Sequence, residues 1–343
     1  MLERSEAPLC TAFDLAILDL DGVVYVGRDA VPGAPDHLDR ARDSGMRLAF
    51  ITNNAARTPE QVAEHLRDLG VAAGADDVVT SAQAAARMLV DRLGAGASVA
   101  LLGGPGLEQA IREEKLVPVG IEDAADAVVT GYGPDVLWRD IMRAGVRIRD
   151  GLWWVASNAD LTIPTEFGLA PGHGVLVETL RRFAGRGPDI AGKPEKALFS
   201  ETVRRVGGRH PLMVGDRLDT DIAGARAAGM PSLLVLTGVT GLPELVAAEP
   251  EERPTYLSAD LGGMRTAHPV PEHSDTESRL PGWCASVDGG ALSVDRDGSG
   301  DGSIDDWWRV VADAAWRFRD RASRCVDVTR LAIPAPGSGV LAE

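Results

Sequence analysis

Cysteine and positive charge are both scarce in this sequence, and each shortage argues against a class of protein. Only three cysteines occur among 343 residues, at Cys10, Cys284 and Cys325, and none belongs to a CxxC pair. So sparse and odd a set argues against a disulfide framework and against a zinc site. Lysine and arginine number 35 against 51 aspartates and glutamates, which gives a formal net charge of -16. Such a surface repels nucleic acid and anionic membranes, so we expect neither as a partner.

Long apolar segments are missing as well. No run approaches the ~20 residues that a membrane-spanning helix needs. The opening residues, MLERSEAPLC, lack the basic start and the apolar stretch of a secretory signal. The sequence therefore predicts a cytoplasmic protein. Its negative charge would also repel anionic substrates, so a phosphate site would need local positive charge from a metal ion, a lysine or helix ends.

What the sequence does contain is an alternating pattern of strands and helices. Hydrophobic residues make up 45% of the chain, which is ordinary for a globular protein, and the length suggests two or three domains. Short β-rich runs such as Leu15–Leu20 and Arg47–Thr52 alternate with amphipathic stretches. Thr58, followed by Pro59 and Gln61, has the signature of a helix start with a capping box. We predict an α/β fold with a doubly wound, Rossmann-like core around a parallel sheet.

The same alternation resumes within the chain, which predicts an inserted domain. We expect the core domain at 1–83 and 188–265 and a second α/β domain at 84–187, where SVALLGG, ADAVVTG and LWWVASN are typical of strands. Residues 266–281 are polar, contain proline and lack periodicity, which predicts a linker. A small C-terminal α+β module follows at 282–343, with one strand-like and one helix-like segment (Trp283–Val287 and Trp307–Phe318).

The first candidate site lies where the strand at 15–20 ends. The letters DLDG at 19–22 place Asp19 and Asp21 on the same side of the chain. This is the carboxyl end of a strand, where open α/β sheets bind ligands. Taken alone, the cluster is equally consistent with a turn, because aspartate followed by glycine is common where strands end.

A second acidic cluster follows another apolar run. Gly215 and Asp216 end that run, and Asp219 and Asp221 lead into a helix. The last two aspartates are also typical of an ordinary helix N-terminus, whereas Asp216 is not explained in that way. Two strand ends that carry carboxylates together predict a site for a hard cation such as Mg²⁺, which prefers a few carboxylate oxygens.

Two further motifs could bind phosphate. Thr52 and Asn53 end the second strand and would offer a hydroxyl, an amide and backbone N–H groups. Lys193 stands before a turn-forming proline and a helical stretch. By itself, the first motif is typical of a capping loop, and a lone lysine in a turn is usually only solvated.

Taken together and in this order, the four motifs resemble the haloacid dehalogenase (HAD) superfamily. Its pattern is D-x-D-G after the first strand, a threonine after the second, then a lysine and G-D-x-x-x-x-D; the resemblance covers roughly residues 13–262. More narrowly, DLDGVVYVG, ITNN, AGKP and GDRLDTDIAGARAAGM are similar to the NagD-like subclass IIA phosphatases, and so is SNADLTIPTEFGLAPGHG. The inserted domain would then be the cap domain of that subclass. The C-terminal module resembles that of actinobacterial glycerol-3-phosphate phosphatases, which looks like an incomplete acetyltransferase fold.

The resemblance implies a role for each motif residue. Asp19 is expected to be the nucleophile that forms an aspartyl-phosphate, and Asp21 the general acid and then the general base. Thr52, Asn53 and Lys193 are expected to bind the phosphoryl oxygens.

The resemblance also implies one cofactor, Mg²⁺. Its expected ligands are Asp19, Asp21 through its main chain, and Asp216. Asp221 is expected to orient Lys193 or the water molecules on the metal.

The expected function is that of a Mg²⁺-dependent phosphatase acting on a small phosphorylated metabolite. The C-terminal module favours glycerol 3-phosphate, and phosphoglycolate, pyridoxal phosphate, nucleotides and sugar phosphates are alternatives. We expect the segments Tyr132–Trp138 and Asn158–His173 to select the substrate. A phosphotransferase or mutase would use the same chemistry. A non-catalytic phosphate-binding regulator is a further alternative, although it would not need the acid pair. Self-association is left open.

Overall fold

A computed structural model describes residues 1–165 and 167–334 of the chain. The helices, in chain order, are α1 (Leu9–Ala12), α2 (Ala34–Asp43), α3 (Pro59–Asp68), α4 (Ser81–Leu93), α5 (Pro105–Glu113), α6 (Trp138–Arg149), α7 (His173–Ala184), α8 (Lys196–Val206), α9 (Ala223–Ala227), α10 (Leu242–Val246) and α11 (Ile304–Ala322). Short 3-10 turns occur at Ala75–Asp77, Pro250–Glu252 and Leu261–Arg265, and a π-helical turn at Leu218–Ile222.

The strands, numbered in the same way, are β1 (Leu15–Leu18), β2 (Tyr25–Val26), β3 (Asp29–Ala30), β4 (Arg47–Thr52), β5 (Val78–Thr80), β6 (Ser98–Leu102), β7 (Val117–Val119), β8 (Ala127–Thr130), β9 (Trp153–Ala156), β10 (Thr162–Thr165), β11 (Gly168–Pro171), β12 (Asp189–Ile190), β13 (Pro211–Gly215), β14 (Ser232–Val235), β15 (Tyr256–Ser258), β16 (Glu272–His273), β17 (Glu277–Leu280), β18 (Trp283–Asp288) and β19 (Ala291–Asp295).

The chain divides into two compact units. The first contains residues 1–47 and the chain from residue 209 onward, and the second contains residues 48–208. These divisions fall at other positions than the predicted borders of the core and cap domains, which stay a prediction. Glu166, inside the predicted specificity segment, and residues 335–343, at the end of the predicted C-terminal module, lie outside the described residues.

Parallel strands form the central sheet of the first unit. Within that unit they lie in the order β15-β14-β13-β1. Strands β1, β14 and β15 are buried along their whole length, which is typical of parallel sheets with both faces covered. Because parallel neighbours end at the same edge, the residues that follow β1, β13 and β14 come together there.

The C-terminal part of the first unit is an antiparallel sheet with one long helix. Strands β16, β17, β18 and β19 pair in sequential order. Trp307 and Trp316 of α11 belong to the same hydrophobic cluster as Leu234 of β14 and Leu257 of β15. The predicted C-terminal module therefore shares one core with the parallel sheet of this unit.

Polar contacts reinforce this shared core. The buried Arg253, which precedes β15, forms an ion pair with Asp320 of α11 at 2.6 Å. The indole N–H of Trp316 donates a hydrogen bond to the carbonyl of Leu245 at 2.7 Å. Helix α11 is thus attached to α10 and to the β15 side of the sheet by specific partners as well as by apolar packing.

The stretch predicted to be a linker, 266–281, contains the strands β16 and β17. In β17, Ser278 and Leu280 are buried while Arg279 is exposed, the alternation of a strand with one buried face. The hydroxyl of Ser278 donates to Asp313 of α11 at 2.5 Å. In the sequence, a buried serine that has a hydrogen-bond partner cannot be distinguished from an exposed serine in a loop. For this reason the sequence pattern of this stretch resembled that of a linker.

The second unit contains a parallel sheet of its own, in the order β12-β9-β8-β6-β7. Its core cluster includes Val128, Trp154 and Ile148. Strands β4 and β5 pair in parallel, and β10 and β11 form an antiparallel hairpin. Parallel sheets in both units confirm the predicted α/β fold class.

Helix α3 begins as predicted. The Gln61 amide donates to the Thr58 hydroxyl at 3.4 Å, and the Thr58 amide donates to the Gln61 side chain at 3.0 Å. This reciprocal capping box fixes the start of α3 after the loop that follows β4. In the part of the chain that the structure describes, no helix is both long and apolar enough to cross a membrane.

Candidate active site

Three carboxylates meet at the edge of the first unit's sheet where β1 and β13 end. Asp19 directly follows β1, and its amide donates to the carbonyl of Val214 in β13 at 2.9 Å. Asp216 directly follows β13, and Asp221 lies in the π-helical turn behind it. One oxygen from each carboxylate lies within 4.8 Å of the others. Asp216 and Asp221 are fully buried, and Asp19 is 9% exposed.

This carboxylate cluster has the chemistry of a site for a hard divalent cation. Buried carboxylates at this separation repel one another, and a nearby positive charge would offset this repulsion. Hard divalent cations prefer oxygen ligands such as carboxylates. The surrounding backbone is shaped around the carboxylates. A Cβ atom on Gly22 or Gly238 would overlap the Asp216 carboxylate, and one on Gly215 would overlap Asp221.

Asp21 is placed differently from Asp19. Its side chain is exposed, its backbone forms a bridge with Tyr25, and the Gly22 amide donates to the carbonyl of Tyr25 at 2.8 Å. Among the described residues, the cluster that could hold a metal contains Asp221 and not the Asp21 side chain. The metal contact expected of Asp21 was a main-chain contact, and the proton-transfer role expected of its side chain stays a prediction.

The two aspartates of the π-helical turn, Asp219 and Asp221, contact different groups of Arg217. The Arg217 amide donates to Asp221 Oδ2 at 3.1 Å, whereas the Arg217 guanidinium pairs with Asp219 at 2.8 Å. Burial acts to raise the pKa of Asp219, but the hydrogen bonds and charge of Arg217 outweigh it and lower that pKa below its ordinary value. Asp219 is therefore an ion-pair partner of Arg217 and lies outside the carboxylate cluster.

The predicted phosphate ligands lie in the second unit, where hydrogen bonds join two of them. The Lys193 amide donates to Asn53 Oδ1 at 2.8 Å, and Asn53 Nδ2 donates to the Lys193 carbonyl at 3.1 Å. Asn53 Nδ2 also donates to Asp160 Oδ1 at 3.0 Å. The Thr52 hydroxyl accepts a hydrogen bond from the Asn54 amide at 3.1 Å. This bond does not use the hydrogen of the hydroxyl.

These contacts change what Asn53 can offer a phosphate. A side-chain amide has two donor hydrogens, and in Asn53 both are engaged, one by Lys193 and one by Asp160. A phosphoryl oxygen accepts hydrogen bonds and does not donate them. Any contact of Asn53 with a phosphoryl group would therefore come from its main chain, while its side chain holds the Lys193 loop.

The segment predicted to select the substrate contacts Asn53 directly. Asn158 Nδ2 donates to the Asn53 carbonyl at 2.7 Å, and His173 Nδ1 lies 2.9 Å from the Asn158 carbonyl. Burial lowers the pKa of His173 to about 4, against the smaller effect of this hydrogen bond. His173 is therefore neutral near pH 7, and its Nδ1–H donates to Asn158.

Sequence reasoning missed two contributors to these groups. Asp160 lies in the segment Asn158–His173, which as a whole was predicted to select the substrate, with no role for this aspartate. The loop after β14 contacts Asp216 through the backbone amide of Val239. Gly238, which closely follows the apolar run of β14, was a sequence signal for a tight loop there, but nothing in the sequence indicates the Val239 amide.

The fold and these motifs define the class to which the protein belongs. A family model described as haloacid dehalogenase-like hydrolase matches residues 16–117. A second model, described as HAD-hydrolase-like, matches residues 190–264. The chain belongs to the haloacid dehalogenase-like hydrolases, which confirms the family expected from the sequence.

Individual relatives cover most of the chain. It is 45% identical over 316 residues to the D-glycerol 3-phosphate phosphatase of Mycobacterium tuberculosis, covering 89% of this chain and 86% of the relative. It is 36% identical over 247 residues to the acid sugar phosphatase of Staphylococcus aureus, covering 71% and 94%.

Solved structures agree with these relatives. The glycerol phosphate phosphatase of Mycobacterium tuberculosis, in complex with magnesium, matches with a TM-score of 0.83 at 42% identity, covering 93% of this chain and 94% of that one. The 4-nitrophenylphosphatase of Thermotoga maritima matches with a TM-score of 0.69 at 30% identity, covering 75% and 98%.

Proposed function

We propose that the protein is a Mg²⁺-dependent phosphatase of small phosphate monoesters and that glycerol 3-phosphate is its preferred substrate. The observation that carries the proposal is the cluster of Asp19, Asp216 and Asp221 at the ends of β1 and β13. The substrate is supported by the 45% identity, over 89% of the chain, to a D-glycerol 3-phosphate phosphatase. The complex of a similar structure with magnesium supports the choice of metal.

The first half of the reaction transfers the phosphoryl group to the protein. A carboxylate oxygen of Asp19 attacks the phosphorus atom, and the bond between phosphorus and the ester oxygen breaks. The carboxyl group of Asp21 gives its proton to the leaving alkoxide, which departs as glycerol. The product on the protein is an aspartyl-phosphate at Asp19.

The second half restores the protein. Asp21, now a carboxylate, takes a proton from a water molecule whose oxygen bonds to phosphorus, and the bond between phosphorus and Asp19 breaks. Inorganic phosphate leaves, and Asp19 is again a carboxylate. One residue thus serves as acid in the first half and as base in the second.

Charge is the main obstacle to this reaction, because Asp19 and the phosphate ester are both anions. Mg²⁺ bound by Asp19, the Asp21 main chain and Asp216 would supply the positive charge that the approach of the two anions requires. In the proposal, Thr52, the Asn53 main chain and Lys193 bind the phosphoryl oxygens. Asp221 orients Lys193 or the water molecules on the metal.

Other proposals concern partners and location. The net charge of -16 supports a cytoplasmic protein without nucleic-acid or membrane partners. A transferase or mutase would move the phosphoryl group of Asp19 to a second substrate and not to water, and a regulator would bind phosphate without turnover.

A phosphate-release assay on a panel of esters tests the function. The panel contains glycerol 3-phosphate, phosphoglycolate, pyridoxal phosphate, a nucleotide and a sugar phosphate, each with and without Mg²⁺. We expect the highest kcat/KM for glycerol 3-phosphate and one phosphate released per ester consumed. Consumption of ester with transfer to an added sugar, or no turnover of any ester, would contradict the proposal.

A further inference from the structure

We propose that the loop Thr237–Gly241 positions Asp216 for metal binding through the backbone amide of Val239. The inference rests on the proposed function, in which Asp216 is a Mg²⁺ ligand. The sequence motifs place the metal site at the ends of β1 and β13, and the inference adds the loop that follows β14.

The order of the strands brings the loop to Asp216. Strands β13 and β14 are parallel neighbours, with Gly215 beside Leu234. The residue after β13 is Asp216, and the chain that leaves β14 passes it. The Val239 amide donates to Asp216 Oδ2 at 2.6 Å, and the next amide, of Thr240, donates to the Asp216 carbonyl at 3.2 Å. Two successive amides therefore hold both the side chain and the main chain of one aspartate.

The contact with the carboxylate fixes its orientation. Asp216 is fully buried, and a hydrogen bond to an ionised carboxylate is short and about twice as strong as a neutral one. Because Thr240 holds the Asp216 main chain and Val239 holds Oδ2, rotation about the side-chain bonds of Asp216 is restricted, and with it the position of Oδ1. A ligand held in this way loses little rotational freedom when a metal binds.

Two glycines permit this close approach. The Cα atoms of Gly22 and Gly238 both lie against the Asp216 carboxylate, and a Cβ on either would overlap it. Gly22 also has a φ of 82°, which favours glycine. The Thr237 hydroxyl donates to the Gly22 carbonyl at 2.5 Å and so joins this loop to the one that follows β1. The carboxylate lies between two backbone loops that are attached to each other.

Replacement of the amide hydrogen tests the inference. Val239→Pro removes the donor, and Val239→Ala keeps it; the Val239 side chain is 65% exposed, so its loss should matter little. Partners that orient metal ligands typically contribute about 10- to 100-fold in metal affinity. We expect the Kd for Mg²⁺, measured by titration calorimetry without substrate, to rise by about 10- to 100-fold in Val239→Pro and to stay unchanged in Val239→Ala. Circular dichroism in EDTA should be the same for both variants.

A second variant keeps the test decisive if the proline variant does not fold. Thr237→Val removes the hydroxyl that holds the loop to Gly22 and keeps the side-chain shape, and it should raise the Kd for Mg²⁺ in the same direction. If Val239→Pro and Thr237→Val fold and bind Mg²⁺ with wild-type affinity, the inference is overturned but the proposed function is not. Wild-type protein that binds no Mg²⁺ would overturn the metal site itself and the inference with it.

Discussion

Asp19 is the residue on which the proposed chemistry depends most. Its replacement by asparagine preserves the shape of the side chain but removes the nucleophilic charge. We expect Asp19→Asn to lower kcat by about 10⁴-fold or more, the scale seen when an enzyme loses its nucleophile. Phosphate release from glycerol 3-phosphate measures this, with circular dichroism to establish folding. The matched control is Asp68→Asn, at an exposed position of α3; substantial turnover by purified Asp19→Asn would refute the assignment.

The carboxylate cluster also predicts how the activity responds to metals. We expect EDTA-treated protein to be inactive, Mg²⁺ to restore activity, and Ca²⁺ to inhibit in competition with Mg²⁺. Calcium takes more ligands at longer distances than magnesium, so it would hold the nucleophile Asp19 away from in-line attack. Initial rates over a grid of the two ions measure the effect. Full activity without added metal, or equal support by Ca²⁺, would contradict the prediction.

At the scale of single residues, the sequence was informative where the type of side chain indicates the chemistry, as it does for carboxylates. Asp19 and Asp216 were selected because carboxylates follow apolar strands, and Asp221 was selected through the family resemblance; the structure brings the three together. The amide of Val239 could not be selected, because a backbone donor has no residue type of its own. The engagement of the Asn53 amide depends on Asp160, which is 107 positions away in the chain. Spacing within one motif contains no information about such a pair.

At the scale of elements, apolar runs were the reliable signal. Strand β4 has the predicted bounds, Arg47–Thr52, and the capping box of α3 was identified from three residues. Strand β17 was missed because the partner of its buried serine lies in α11. The π-helical turn that places Asp221 was not predicted either, since no local pattern separates it from an ordinary helix start.

The segment Asn158–His173 provides a test of substrate selection. It contains Asn158 and Asp160, which contact Asn53, and it has no lysine or arginine. We expect Leu161→Arg, beside Asp160, to raise kcat/KM for phosphoglycolate relative to glycerol 3-phosphate by up to about fivefold, the scale of one exposed charge contact.

A control for this test adds the same charge elsewhere in the second unit. Val146→Arg alters α6, where Val146 is 40% exposed. The ratio of kcat/KM for the two esters should stay at its wild-type value in this variant. Equal shifts in both variants, or a wild-type preference for phosphoglycolate, would count against the segment's role.

At the scale of the whole molecule, the shared core of the first unit predicts that α11 stabilises the parallel sheet. Trp316 is fully buried, and Trp138 is 66% exposed. We expect Trp316→Ala to lower the free energy of unfolding by about 3–5 kcal/mol and Trp138→Ala to change it by less than about 0.5 kcal/mol. Urea unfolding and thermal inactivation of phosphatase activity measure both. If α11 belonged to an independent module, Trp316→Ala would leave the inactivation temperature unchanged.

A buried histidine in the same unit predicts acid sensitivity. His268 Nε2 donates to the Gly263 carbonyl at 2.8 Å, and Nδ1 accepts from Arg309 at 3.1 Å. Burial, and then the Arg309 charge, lower the pKa of His268 to about 4. The unfolded chain therefore takes up a proton near pH 6.5 that the folded chain excludes. This contribution to stability is complete above about pH 6.5 and falls by up to about 1.4 kcal/mol per pH unit toward pH 4.

The pH series is best made with a variant that cannot titrate. His268→Gln should lose stability less steeply than the wild type in urea unfolding at pH 7.5, 6.5, 5.5 and 4.5, whatever its stability at neutral pH. His173, whose pKa is also lowered to about 4, makes the same contribution in both proteins. Parallel curves would show that His268 is not the group responsible.

The shared core of β14, β15 and α11 has a consequence for the order in which the protein can fold during its synthesis. The second unit, residues 48–208, is complete in the chain long before α11 is made. At about 5–20 residues per second, the ribosome needs on the order of ten seconds to proceed from Gly208 to Ala322. From their own synthesis until α11 is made, Leu234 and Leu257 have no Trp307 or Trp316 to cover them. The first unit, which holds the carboxylate cluster, therefore acquires its full core only after translation of α11.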